Sequence, residues 1–162
     1  MKIQRARRIA WAVVILWMAL IFSLSAQTAR ESAALSSHTI SRVAGLVVPG
    51  FADLSPEQQM SIISGVQDYI RKAAHVILYL VLGGLCMTAL FQHSLKMPVR
   101  FIAALAIGVG YGATDELHQL FVVGRGAQVR DVGIDSCGVV LGVLIVMLVF
   151  RWWMRRDSKR RR

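Results

Sequence analysis

From Asp115 to Asp135 the chain reads D-E-L-H-Q-L-F-V-V-G-R-G-A-Q-V-R-D-V-G-I-D, and four of its nine carboxylates fall within that stretch. Long apolar runs lie on both sides, residues 101–114 before it and 138–150 after it. An ionisable group at the centre of a lipid-spanning helix costs about 2.5 to 3.5 kcal/mol on translocon scales and less near the ends, so such groups persist when paired, hydrated or used. Cations able to compensate them are Arg125 and Arg130 in the same stretch and Arg71 and Lys72, with His75, from an earlier one. Guanidinium and ammonium groups bind anions through charge-assisted hydrogen bonds, while carboxylates position those cations or accept from hydroxyls. A histidine among carboxylates also has the residue types for acid–base work or metal ligation.

Spacing sorts these residues onto helix faces. Arg71, His75 and Tyr79 recur at i, i+4 and i+8, which stacks them on one face descending from the interface. Asp115 and Gln119 lie one turn apart, and Glu116 can meet Gln119 at i+3. Asp131 and Asp135 share a face at the start of the last apolar segment, where the helix dipole favours negative charge. Capping accounts for one of the two; the other, a turn deeper, needs a partner. The expected ligand-binding or polar cluster is therefore Arg71, Lys72, His75 and Tyr79 from one helix, Asp115, Glu116 and Gln119 from the next, and Arg125, Asp131 and Asp135 after it. No catalytic residue, metal or cofactor is assigned. The chain has no H-E-x-x-H, G-x-S-x-G or phosphate-loop spacing, and His118, two residues from Glu116, falls on another helix face.

The elements that must carry these side chains are membrane spans. With 56% apolar residues and a mean hydropathy of +0.55, 162 residues make an integral membrane protein, all-α, a four-transmembrane-helix bundle. Spans are expected at about 9–26, 70–92, 100–123 and 132–150 within a single membrane domain covering 1–150, followed by a basic tail, 151–162, read as an interfacial anchor with a disordered end. The first span is expected to be retained as an anchor on account of Trp11 and Trp17, although Ser23-Leu24-Ser25-Ala26 offers small residues of the kind signal peptidases cleave. Between spans one and two, residues 27–69 are expected to form an amphipathic extracytoplasmic segment. Ile40, Val43, Ala44 and Val47 follow helical spacing up to Pro49-Gly50, and Ser55-Pro56-Glu57-Gln58 has the form of a capping box opening a surface helix or lid with Met60, Ile63, Val66 and Ile70 as its stripe. Gly138 and Gly142 form a G-x-x-x-G pair for close helix packing. Cys86 and Cys137 read as packing thiols, since at about 1.5 Å per residue they sit at different depths.

Charge sets the orientation. The net charge is +10, yet basic residues cluster beside apolar runs, so the pattern is that of cytoplasmic flanks and not of a nucleic-acid surface. If both termini are cytoplasmic, thirteen of the nineteen lysines and arginines lie inside: Lys2, Arg5, Arg7, Arg8, Lys96, Arg100 and seven in the tail. Only Asp157 among the carboxylates joins them, and the polar faces open outward. The expected location is the bacterial cytoplasmic (inner) membrane.

On these residues the chain resembles the VanZ-like family of small bacterial membrane proteins. The matching blocks are Phe22-Ser23 through Gln27, Arg71-Lys72-x-x-His75-x-x-x-Tyr79, Asp115-Glu116-x-x-Gln119-x-Phe121, Gly124-Arg125, and Asp131-x-x-x-Asp135-x-x-Gly138, between about Ile9 and Phe150. Leu78 stands where the family often has glutamate, and Asp135 where asparagine is also common. The resemblance implies an association with reduced susceptibility to teicoplanin, a lipoglycopeptide. The residues favour a noncatalytic protein whose outward-facing cluster binds a membrane lipid or envelope amphiphile headgroup. The alternatives are an intramembrane enzyme using His75, Asp115, Glu116 and His118, and a small transporter or flippase built as a homo-oligomer.

Overall fold

The structure, a computed structural model, describes residues 2–28, 40–126 and 128–160. These form α1 (Lys2–Ser25), α2 (40–47), a 3-10 turn (Phe51–Asp53), α3 (Pro56–Phe91), α4 (Met97–Gln119) and α5 (Val129–Arg160), with no strand among the described residues. Helices α1, α3, α4 and α5 are each long and apolar enough to cross a membrane. They alternate in direction, because Ser25 at the end of α1 bonds Asp115 near the end of α4, whereas Arg7 at the start of α1 bonds the Gln92 carbonyl after α3.

α3 is the central element and supplies Tyr79, Leu82, Cys86, Met87, Ala89 and Leu90 to the core. Val14 and Ile21 of α1, Ala104 of α4, and Val139 and Val143 of α5 complete it. Lipid tails are as apolar as leucine, so helices in a bilayer associate through close packing and interhelical hydrogen bonds and not through a hydrophobic drive. Both are present here. A Cβ on Gly142 would run into the Leu80 carbonyl, and one on Gly83 into the Val139 carbonyl, so α3 and α5 meet backbone to backbone as the G-x-x-x-G pair anticipates. Trp17 Nε1 donates to the Leu78 carbonyl at 2.9 Å, Trp11 Nε1 to His93 Nε2 at 3.0 Å, and Tyr111 Oη to the Met18 carbonyl at 2.6 Å.

Element boundaries depart from the sequence expectation in three places. The capped helix after Ser55 and the second span are one continuous helix of 36 residues. Its start carries both hydrogen bonds of the capping box. Between there and Phe91 the chain has no proline and, before the span, only Gly65 to weaken it, which at about 1 kcal/mol is too little to break a helix. At ~1.5 Å per residue α3 is ~54 Å long against a hydrocarbon layer of ~30 Å, so its first four turns extend beyond the bilayer. α4 stops at Gln119, short of 123, and Gly124 takes a left-handed turn at φ 78° that redirects the chain to α5. α5 runs through the tail as helix to Arg160; Arg161 and Arg162 lie outside the described residues. α2 ends before Pro49-Gly50, as the spacing of its apolar residues anticipates; Ile40 and Ala44 are buried while Val43 and Val47 are exposed. Residues 29–39 of the 27–69 segment lie outside the described residues.

Candidate functional site

Four helices converge at the end of the bundle where α1 and α4 finish and α5 begins. Arg71, Lys72 and His75 of α3, Glu116 and Gln119 of α4, and Asp131, Ile134 and Asp135 of α5 line a narrow cleft there. Seven of these eight lining residues are members of the expected cluster. Tyr79 sits one turn below His75 with its ring stacked at 6.2 Å, and Asp115 sits one turn below Gln119, so both lie beneath the cleft. Gly112 makes room for this lower layer: a Cβ there would lie 3.4 Å from Tyr79 Cε1 and 3.6 Å from Asp135 Cβ.

Burial is unusually deep for such chemistry. Asp135 is 1% exposed, Asp115 2%, Glu116 3% and Gln119 6%. Each carboxylate has one identified partner on another element. His75 Nδ1 lies 3.4 Å from Asp135 Oδ1, Ser25 Oγ donates to Asp115 Oδ2 at 2.8 Å, and the Gln128 backbone N–H donates to Glu116 Oε2 at 3.0 Å. Their remaining capacity is unspent: both Asp135 oxygens, Asp115 Oδ1, Glu116 Oε1 and Gln119 Nε2 have no hydrogen-bond partner among the described residues. Buried polar atoms are usually satisfied, and each exception calls for a reason. Nearer the rim the arrangement is looser, with Lys72 Nζ 3.9 Å from Asp131 Oδ1 and both side chains partly exposed.

Arg125 sits half-buried in the loop after α4, within electrostatic reach of Arg71, Asp115 and Glu116. Burial, and then the Arg71 guanidinium, push its pKa below the ordinary arginine value. The cleft itself is tight. It leaves only about 10 Å³ for the centre of a water-sized sphere, room for roughly one molecule.

Two residues weighed from the sequence stand apart. Arg130 is exposed, and His118 packs against the Phe22 ring at 4.3 Å instead of lining the cleft, while His75, Asp115 and Glu116 stay at or just beneath it. Among the described residues no three His, Cys, Asp or Glu side chains converge as metal ligands. Cys86 and Cys137 are both free thiols. Sequence reasoning gave no site role to Ser25, or to Tyr111, whose ring lies 6.3 Å from that of Tyr79 beneath the cleft. Ser25 closes a span and was read with its small neighbours; the signal for Tyr111 is its position one turn before Asp115, on the same face.

A family model described as VanZ/LLP1 matches residues 10–151, which takes in every helix that contributes to the cleft. The chain belongs to the VanZ/LLP1 family. No curated protein and no solved structure matches it. In this VanZ/LLP1 protein the blocks Arg71–Tyr79, Asp115–Gln119 and Asp131–Gly138 are the parts of α3, α4 and α5 that meet around the cleft, while Phe121 lies beyond α4 and is exposed. Of the two departures, Leu78 contributes its carbonyl to Trp17, and Asp135 is the carboxylate facing His75.

Proposed function

We propose that this VanZ/LLP1 protein is a noncatalytic binder of an envelope lipid or amphiphile headgroup, with the cleft as its site. The observation that carries the reading is the row of deeply buried carboxylate and amide atoms left without partners beneath a rim of cations. Unpaired buried polar groups are costly, and a ligand that supplies donors and an anion offsets that cost. In this reading Arg71, Lys72 and Arg125 hold the anionic group. Asp131, Glu116 and Asp135 accept from hydroxyls or water. Since the cleft has room for about one water, the headgroup sits on the rim and sends only a small polar substituent inward.

The site faces the extracytoplasmic side. Eleven of the sixteen lysines and arginines among the described residues belong to the opposite end of the bundle and its flanks, and such residues are retained in the cytoplasm. Binding there places the protein where wall precursors and external amphiphilic drugs are met, which gives a route to changed susceptibility to teicoplanin-like lipoglycopeptides. The test is a deletion strain complemented with wild type or with Glu116→Gln at equal membrane abundance, scored across envelope-targeting antibiotics and lipid composition. Wild type restores the parental profile and Glu116→Gln does not. Equal restoration by both overturns the reading.

A further inference from the structure

The end of the bundle opposite the cleft carries a second concavity of different chemistry. Where the last turns of α3 pass α5, Thr88, Phe91, Val146, Val149, Phe150 and Trp153 wall an open groove of about 410 Å³ on the outer surface. Two polar residues take part, Gln92 at the end of α3 and Thr88. The Thr88 hydroxyl is spent on the Gly84 carbonyl at 2.8 Å. The remainder is an aromatic ladder, with Phe91 stacked on Phe150 at 4.2 Å and Phe150 next to Trp153 at 6.5 Å.

Cations border the ladder at the end away from the membrane centre. The Arg100 guanidinium lies 5.3 Å from the centroid of the Phe91 ring, and that of Arg156 lies 5.0 Å from the centroid of the Trp152 ring. Trp153 is shared with a second concavity of about 290 Å³ on the following turns of α5, bordered by Trp152, Arg156, Asp157 and Arg160. An apolar slot and a mainly cationic one, in which Asp157 is the one acidic side chain, therefore meet at Trp153. A guanidinium set over an aromatic ring keeps edge donors for a planar or tetrahedral oxyanion, which a lysine ammonium does not do as well; Arg100 gives one N–H to the His93 carbonyl at 2.7 Å and one to Met97 Sδ at 3.8 Å and keeps the others. Seven of the last twelve residues are basic, and such segments attract anionic headgroups to the membrane surface.

We propose that this groove seats one anionic phospholipid, its acyl chain along the Phe91–Phe150–Trp153 ladder and its phosphate against the Arg100 and Arg156 guanidiniums. An acyl chain alone would fill such a groove from any bilayer; the arginines are what select the headgroup. The continuous helix of α5 matters here, because it holds Arg156 one turn above Trp152 and so fixes the height of the phosphate seat over the slot.

The experiment is native mass spectrometry of the full chain, carrying Lys72→Ala and Arg125→Ala so that the cleft is weakened, in detergent with phosphatidylglycerol, phosphatidylcholine or soluble glycerol 3-phosphate. One phosphatidylglycerol is retained with at least tenfold preference over phosphatidylcholine, and glycerol 3-phosphate is not retained. Arg156→Gln lowers the preference severalfold, and adding Arg100→Gln brings it near unity. Arg156→Gln alone keeps the test independent of the bond from Arg100 to the His93 carbonyl. Val149→Trp, which fills the slot, lowers retention of both lipids. Arg42→Gln, an exposed charge outside α5, leaves the preference as it was. Equal retention of the two lipids by the cleft-weakened chain, unchanged selectivity when both arginine substitutions are added to it, or a dimer covering Trp153 in place of lipid overturns the proposal.

Discussion

Deleting the imidazole opposite Asp135 distinguishes a buried ion-pair site from a hydrated polar contact. Asp135 is 1% exposed, neither of its oxygens accepts a hydrogen bond among the described residues, and His75 Nδ1 faces Oδ1 at 3.4 Å. Two magnitudes compete. Removing one partner of a buried pair costs about 3 to 5 kcal/mol, whereas interhelical polar contacts in membrane proteins average about 0.6 and reach about 1.7 kcal/mol. The length of the contact and the 15% exposure of the His75 side chain place it at the low end of the first range. His75→Ala is therefore expected to cost about 3 kcal/mol, roughly a hundredfold in the unfolding equilibrium. Replacing both partners with leucine removes the unpaired charge along with the pair and comes close to wild type. The assay is reversible unfolding in mixed micelles, run as a double-mutant cycle on His75 and Asp135. A His75→Ala cost of about 0.6 kcal/mol or less would refute the reasoning, as would a double variant whose cost equals the sum of the singles.

Three further outcomes follow from named contacts. Gly142→Ala places a methyl against the Leu80 carbonyl and forces α3 from α5, costing about 3 kcal/mol in a thermal melt, while Gly133→Ala, which meets nothing within 4 Å, stays neutral or gains slightly. Ser25→Ala removes the donor to buried Asp115 and costs about 1.5 to 3 kcal/mol; Ser23→Ala, whose hydroxyl bonds only the Ala19 carbonyl of its own helix, stays within about 0.5 kcal/mol. In a Cys137→Ser background, a membrane-impermeant maleimide labels Gln128→Cys in intact cells and Arg155→Cys only after permeabilisation; the reverse pattern would invert the orientation.

Much of this fold is legible in the sequence because hydrophobic runs and i, i+4 faces are local signals. The spacing of Arg71, His75 and Tyr79, and of Asp131 and Asp135, already points these groups the same way, and the structure brings them to one end of the bundle. What depends on continuity is not local. A capping box at Ser55 and an apolar run from Ala73 read as two elements, because the sequence does not say whether helix persists between them; cooperativity, with no breaker present, joins them. The same holds for α5, where the charged tail continues the helix beyond the apolar run. Site residues were missed where a single polar side chain gains meaning only from a distant helix, as with Ser25 on Asp115, 90 positions away. His118 is legible from spacing alone: two residues from Glu116 it falls on another helix face, and the structure turns it toward Phe22 and away from the cleft.

The most direct test of the central claim is headgroup retention at the cleft, measured by native mass spectrometry on protein carrying Arg156→Gln so that the groove at the far end is weakened. The chain, offered phosphatidylglycerol, cardiolipin, phosphatidylethanolamine and phosphatidylcholine, retains at least one anionic headgroup about tenfold over phosphatidylcholine, about 1.4 kcal/mol, and loses that preference when Lys72→Ala and Arg125→Ala are added. Retention without headgroup preference, or a preference that survives loss of both cations, would contradict the account.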